Sequence, residues 1–275
     1  MEDVLGYKGR RVVVTGSASG MGEATARLLL ELGASVTGLD LRPTDIEGVT
    51  SIEVDLRQPD SIEAAAAAIT APIDGFFNCA GLPGPPFSDL DVMLVNFVGG
   101  RQLIETVVAK MSEGSAIAYV ASAGGLGWQQ QLATLMPLFQ ADGFEAGRRW
   151  CEDNAELIRN SSAYALSKQV INAWTTWRAF DLMKEHGVRL NCVNPGPTAT
   201  AMMPYFHEAN GKALVDAAQG PVGRYSTAEE QAWPLVFINS PRCSYVVGET
   251  FFTDGGFFAA LQNGQLDFSA LMPKE

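Results

Sequence analysis

Arg11-Val12-Val13-Val14-Thr15-Gly16-Ser17-Ala18-Ser19-Gly20-Met21-Gly22 is the stretch that decides the fold. Its first five residues are almost uninterruptedly apolar, as a strand covered on both faces has to be. Beyond the glycines, Met21, Thr25, Leu28, Leu29 and Leu32 recur along one stripe of a helix. Gly33 stops that helix. Strand, glycine-rich turn and helix together form the opening of a βαβ unit.

Outward from this unit the pattern repeats. Residues 35–39, 51–54, 74–77, 115–121, 188–193 and 245–252 read as further strands, with helical segments between them that include residues 62–69 and 163–185. The alternation implies an α/β protein: a single Rossmann-like, doubly wound parallel sheet with helices on both faces and a ligand crevice outside the strands' carboxyl ends. No linker, repeat or low-complexity tract interrupts it, so residues 1–275 are expected to form a single domain. Two stretches lack sheet character. Residues 125–160 are expected to be a helical insertion between the fifth strand and the long helix, and residues 201–224 an apolar loop or helix pair.

Composition narrows the function. With 47% hydrophobic and 18% charged residues the chain is globular and not disordered. A net charge of −12 repels a phosphate backbone, which argues against nucleic-acid binding. Cys79, Cys151, Cys192 and Cys243 are scattered with no C-x-x-C, and His186 and His207 are isolated, so free thiols and no metal centre are expected. The first residues lack a basic region followed by an apolar stretch, and no apolar run approaches the length of a membrane span. A cytoplasmic protein with no membrane partner is the expectation.

The turn at Gly16, Ser19, Gly20, Met21 and Gly22 suits a dinucleotide pyrophosphate, because glycines allow close backbone approach and the helix N-terminus offers amide donors. Taken alone, the motif also describes a ligand-free turn. Asp40 lies 18 residues after Gly22 at the end of the second strand, where a carboxylate can accept hydrogen bonds from ribose hydroxyls and repel a 2′-phosphate. This favours NAD(H). Arg42, two positions on, can pair with such a phosphate, so NADP(H) stays open as the alternative. Tyr164 and Lys168 stand four apart on a predicted helix, hence on one face. There an ammonium can draw a phenol towards its working protonation state. Ser122, ending the fifth strand, can hydrogen-bond a reacting oxygen.

Together these motifs resemble the short-chain dehydrogenase/reductase family from about residue 10 to residue 256. TGSASGMG is similar to its T-G-x-x-x-G-x-G turn. Asp55 in EVDL matches the residue that meets the adenine, Asn78-Cys79-Ala80-Gly81 its N-N-A-G signature with Cys79 in place of the second Asn, and Asn96 the residue whose backbone holds a proton-relay water. Pro195-Gly196-Pro197-Thr198-Ala199-Thr200 matches the segment that holds the nicotinamide carboxamide, and Asp254-Gly255-Gly256 the end-of-sheet motif. The resemblance implies a catalytic set of Asn96, Ser122, Tyr164 and Lys168. It also implies cofactor contacts from Leu41, Leu56, Asn78, Ala80, Gly81, Pro195, Gly196, Thr198 and Thr200, and again from Tyr164 and Lys168.

One departure is informative: Tyr164 lies 42 positions after Ser122, far more than the family's usual spacing. This resembles the subgroup of coniferyl-alcohol dehydrogenases and 3-alpha-hydroxysteroid dehydrogenase/carbonyl reductases, and it puts the family's common dimer packing through the catalytic helix in doubt. The resemblance implies an NAD(H)-dependent alcohol/ketone oxidoreductase. Trp128, Met202, Met203, Tyr205 and Phe206 suggest an apolar small-molecule alcohol or ketone as substrate. Hydrophobic helix faces at Ala173, Trp174 and Trp177 suggest a homo-oligomer, dimer or tetramer. Two rival readings are a non-catalytic NAD-sensing Rossmann protein and a sugar-nucleotide epimerase, which would more often show T-G-x-x-G-x-x-G and a longer C-terminal domain.

Overall fold

Val12 and Val14 are buried on one side of strand β1 (Arg11–Thr15) and Val13 on the other. That double burial is why the strand is apolar without alternation: helices cover both faces of the sheet. The computed structural model describes residues 3–266; residues 1–2 and 267–275 of the expected domain lie outside them.

After β1 follow α1 (Gly20–Glu31), β2 (Ser35–Asp40), β3 (Val49–Glu53), α2 (Pro59–Ala68), β4 (Ile73–Asn78) and α3 (Asp89–Met93). A π-helical turn (Leu94–Val98) then leads into α4 (Gly99–Val107) and β5 (Met111–Val120). Three short helices come next, α5 (Trp128–Phe139), α6 (Gly143–Asp153) and α7 (Ala155–Asn160), before the long α8 (Ala163–His186) and β6 (Arg189–Pro195). The chain ends with α9 (Met203–Asn210), α10 (Lys212–Ala217), α11 (Ala228–Asn239), β7 (Thr250–Thr253) and α12 (Phe257–Gln262). The strands form one parallel sheet in the order β3-β2-β1-β4-β5-β6-β7. The strand order reverses between β1 and β4, which opens a crevice at their carboxyl ends.

Val13, Leu39, Phe76 and Ile117 bury one face of the sheet against α2, α4 and α8. Val12, Val14, Val36 and Phe77 bury the other against α1 and α11. Helices α5 to α7 join the first layer through Leu135, Leu138, Phe139, Phe144, Cys151 and Ile158. The ring of Phe139 lies 6.4 Å from Phe97 and 5.9 Å from Trp177. Arg101 of α4 is buried and clamps the α5–α6 corner, donating to the carbonyls of Leu138 (3.0 Å), Ala141 (2.9 Å) and Gly143 (2.8 Å). The first two of these carbonyls lie at the C-terminal end of α5, where backbone acceptors lack intrahelical partners and the dipole favours a cation; Gly143 opens α6. Buried Arg189 does the same for the end of α11, donating to Ile238, Asn239, Ser240 and Val246.

The expected strand at 245–252 is corrected to the shorter β7, residues 250–253. A 3₁₀ turn (Pro241–Cys243) and Gly248 at φ +75° bend the preceding segment away from the sheet, and Tyr245 is fully exposed. The expectation that no apolar run approaches membrane length is corrected too. Asp89–Lys110, 22 residues, is long and apolar enough to cross a membrane by length and composition. It is a core helix here, with 72% of its apolar window buried against the rest of the protein.

Candidate active site

Thr15 closes β1 by tying it to β4. Its hydroxyl donates to Asn78 Oδ1 (2.5 Å) and accepts from the amides of Cys79 and Ala80 (3.1 Å each). The turn that follows leaves no room for a side chain at Gly16 or Gly22. Gly16 sits at φ +68°, and a Cβ there would come 2.8 Å from Ala80 N. A Cβ on Gly22 would collide with the Gly16 carbonyl, so the first turn of α1 can lie directly against the strand end. Ser19, the residue before α1, makes no capping bond with its side chain.

The turn floors a cleft of about 430 Å³ that brings together Gly16, Ser19, Gly20, Met21, Gly22, Asp40, Leu41, Asp55, Leu56, Ala80, Gly81 and Thr200. Asp40 accepts from Ala18 N (3.1 Å) and from Arg42 N (3.0 Å), one bond per oxygen. Each oxygen keeps acceptor capacity towards the cleft. The Arg42 guanidinium donates to Ser19 Oγ (3.2 Å) across the same rim. Asp55 is gripped by Arg57 through two side-chain bonds of 2.9 and 2.8 Å, and this pairing holds the Asp55 carboxyl below its usual range. The Asp-x-Arg spacing was the available sign of that pair, and sequence reasoning missed it.

Asn78 is buried beneath the turn and not on the cleft wall. Pro195 ends β6, and Gly196 packs so tightly on Asp254 that a Cβ would come within 2.9 Å of its Cα. Thr198 turns its hydroxyl to the Gly196 carbonyl and Ser226 (3.0 Å each), outside the main cleft.

Ser122, Tyr164 and Lys168 do not line this cleft themselves; they lie next to it, with Lys168 behind Gly81. A Cβ on Gly81, a cleft residue, would lie 3.7 Å from Lys168 Nζ. Ser122 Oγ accepts from Gly124 N (3.0 Å). Tyr164 and Lys168 come from the start of α8, which Ser162 opens with an unusual φ of +61°. Strained backbone of this kind costs about 1–3 kcal/mol and concentrates at functional sites. Lys168 is buried, donates from Nζ to the Val120 carbonyl (3.0 Å) and lies 5.6 Å from the Tyr164 ring centroid. Burial pushes its ammonium down to about 8. Burial pushes the Tyr164 phenol up, opposed by its hydrogen bond with Ser122. The sequence reading has the ammonium drawing the phenol down; in the structure the ammonium points to Val120 and desolvation outweighs everything else.

Asn96 lies in the π-helical turn. Its side chain accepts from Leu82 N (2.6 Å) and donates to Leu82 O (3.1 Å) and Ser167 Oγ (2.9 Å), and Ser167 in turn donates to the Tyr164 carbonyl (2.7 Å). Phe206 of α9 sets its ring edge against Tyr164, with centroids 4.9 Å apart.

Residues 10–133 match the family model described as short chain dehydrogenase, and residues 153–258 the one described as Enoyl-(Acyl carrier protein) reductase. The chain is 30% identical to the coniferyl-alcohol dehydrogenase of Pseudomonas sp. strain HR199, a match covering 90% of this chain and 96% of that one. It belongs to the short-chain dehydrogenase/reductase family. A second relative, the 3-alpha-hydroxysteroid dehydrogenase/carbonyl reductase of Comamonas testosteroni, is also 30% identical, over 92% of this chain and 98% of the relative. Among solved structures, the 3-alpha-hydroxysteroid dehydrogenase of Pseudomonas sp. B-0831 complexed with NADH superposes with a TM-score of 0.78 at 29% identity, covering 93% of this chain and 99% of that one. As a short-chain dehydrogenase/reductase the protein is an oxidoreductase, and its parallel sheet is the fold of its structural neighbours.

Proposed function

We propose that this short-chain dehydrogenase/reductase is an NAD(H)-dependent enzyme, one domain, that interconverts an apolar secondary, allylic or aryl alcohol and its carbonyl compound. The observation that supports the reading is the grouping of Ser122 with Tyr164 and Lys168, and of Lys168 with Gly81, a residue of the glycine-floored cleft that also holds Asp40. The residues fit a dinucleotide: Gly16 and Gly22 leave no space for a side chain between strand and helix, and Asp40 keeps acceptors for ribose hydroxyls. Its pyrophosphate would lie on the α1 amides, its ribose against Asp40, its adenine near Leu41 and Asp55, and its nicotinamide half beside Lys168 and Thr200.

A nicotinamide dinucleotide supplies the hydride acceptor for oxidation or the donor for reduction. The chain's own residues handle the proton and the orientation. Ser122 Oγ hydrogen-bonds the substrate oxygen. Tyr164, as the phenolate, takes the alcohol proton in oxidation and becomes the phenol; as the phenol it gives that proton to the carbonyl oxygen in reduction. Lys168 holds a positive charge near that phenol, and Asn96 orders the segment behind it. Met202, Tyr205, Leu82 and Phe87 wall the cleft and exclude water from an apolar substrate. The NADH-bound relative supports the cofactor reading, and the coniferyl-alcohol and hydroxysteroid relatives support the substrate class. Homo-oligomerisation and a cytoplasmic location accompany this reading.

The test is a panel of aryl alcohols, hydroxysteroids and cyclic alcohols with NAD⁺ and NADP⁺, followed by NADH absorbance, on the wild type and Asp40→Ala. Wild type should prefer NAD(H), and the variant should lose most of that preference, because the ribose acceptor and the phosphate repulsion disappear together. A wild-type preference of about tenfold for NADP(H), roughly 1.4 kcal/mol, overturns the Asp40 assignment in favour of the Arg42–Ser19 rim. No turnover across the panel overturns the substrate class.

A further inference from the structure

Tyr119 belongs neither to the cleft wall nor to the reacting centre, yet it touches the machinery of both. It lies on β5 three residues before Ser122 and is fully buried, its ring packed edge-on to Trp174 of α8 at 6.3 Å between centroids. A phenylalanine would fill the same space without bringing a polar group into the core, and a buried hydroxyl is costly unless it is bonded. What tyrosine adds here is a hydroxyl that donates to the backbone carbonyl of Asn96 at 2.7 Å and is met on its other side by the Asn78 side chain. The hydroxyl also abuts Gly100, where an added Cβ would collide with both the Tyr119 oxygen and the Asn78 amide. Asn78 is the residue tied to Thr15 under the dinucleotide turn.

The bond falls at a place where the helix needs holding. Asn96 sits in the π-helical turn between α3 and α4, where the backbone ladder changes register. From there its amide grips Leu82 on the cleft wall and Ser167, which bonds the Tyr164 carbonyl. A shift of the turn is therefore passed to both the cleft wall and the first turn of α8.

We propose that Tyr119 is a positioning residue for the reaction: its hydroxyl fixes the Asn96 turn and, through Asn96 and Ser167, sets where Tyr164 stands. The proposal rests on the reading of Tyr164 as the acid/base group. Misplacement of a reacting group by about 1 Å can cost up to about 100-fold, whereas a loosened turn that keeps its contacts costs less.

Tyr119→Phe keeps the ring and removes the donor. The expected result is a kcat about tenfold lower, with the NADH Kd, read from tryptophan fluorescence quenching, within about twofold of wild type. Ser167→Ala provides an independent cut, since it removes the link between Asn96 and the Tyr164 carbonyl without touching the dinucleotide turn, and it should show the same split. If Tyr119→Phe is recovered only as aggregate, Ser167→Ala decides. Wild-type kcat in a folded variant overturns the proposal, as does a parallel loss of kcat and NADH affinity, the mark of a merely structural role. Tyr164→Phe, assayed beside them, separates the two ideas. If it is nearly inactive while Tyr119→Phe turns over normally, only the positioning role falls; if it stays active, the acid/base reading falls first.

Discussion

Phe206 presents its ring edge to the catalytic candidate Tyr164, with centroids 4.9 Å apart and planes inclined at 62°. This contact joins α9, the segment after β6, directly to the group that would move the proton. The neighbouring His207 bonds the Tyr225 hydroxyl (2.8 Å), and Tyr225 bonds Asp216, so the position of α9 is braced from behind.

Truncating Phe206 is therefore expected to act on chemistry before substrate binding, since it packs on Tyr164 and does not itself line the cleft. An aromatic contact of this kind is worth about 0.5–1.5 kcal/mol beyond its area. Phe206→Ala should lower kcat by roughly 2- to 12-fold and change KM less. Steady-state kinetics check this; a raised KM with kcat unchanged would remove Phe206 from the support of Tyr164.

Tyr164→Phe keeps the ring and its contact with Phe206 but deletes the only proposed acid/base oxygen. General acid–base catalysis contributes about 10²–10⁴-fold, so kcat should fall by at least that order with NADH binding nearly intact. Lys168→Ala should differ, with turnover and dinucleotide affinity falling together. Tyr164→Phe retaining a third of wild-type activity would refute the mechanism.

Burial of Lys168 also predicts a pH dependence of stability. Its pKa is pushed down to about 8 in the folded protein, against about 10.4 in an unfolded chain. Between these values the unfolded state binds a proton that the folded state does not, so this contribution to stability rises with pH. Below about pH 8 the buried ammonium costs on the order of 3 kcal/mol, and that penalty is relieved by about pH 10. Denaturant unfolding of dinucleotide-free protein at pH 7.5 and 9.5 should show the rise in wild type relative to Lys168→Met. An identical pH trend in both would place the titration elsewhere.

Arg101→Leu should unfasten the α5–α6 corner. The variant removes donors from the carbonyls of Leu138, Ala141 and Gly143, two of them at the helix end and its cap-adjacent turn. A buried, charge-assisted cluster of this sort is worth about 2–5 kcal/mol. Thermal unfolding should fall by several degrees, at roughly 2–4 °C per kcal/mol for a chain near this size. No change in Tm would mean that the helices are held by Leu135, Leu138 and Phe139 alone.

Much of this arrangement was legible before any coordinates. The double-sided burial of β1 forces an apolar run, and that run is recovered residue for residue as Arg11–Thr15. The stripe from Met21 to Leu32 gives α1 with an error of one residue at each end. The last strand was misread because 245–252 looks equally suited to a sheet edge, and only the 3₁₀ turn and Gly248 decide that its first half turns outward. That Tyr164 and Lys168 share the first turns of one helix was readable from their spacing. The direction in which Lys168 points was not, because the Val120 carbonyl that attracts it is 48 residues away in the chain. The roles of Arg57, Phe206 against Tyr164, and Tyr119 likewise depend on neighbours that only the folded chain supplies.

The covering of α1 by α11 has a consequence for how the chain is made. Val12, Val14, Ala26 and Leu29 are sealed by Ala232, Leu235 and Val236, and the Tyr7 hydroxyl bonds the Val236 carbonyl across 229 residues of sequence (2.7 Å). A ribosome that has delivered the first two hundred residues has therefore produced a sheet whose second face is covered by α1 alone, with the place of α11 still open. Completion waits for the last segment, so folding should be late and abrupt, and the emerging chain is exposed to sticking until that segment arrives.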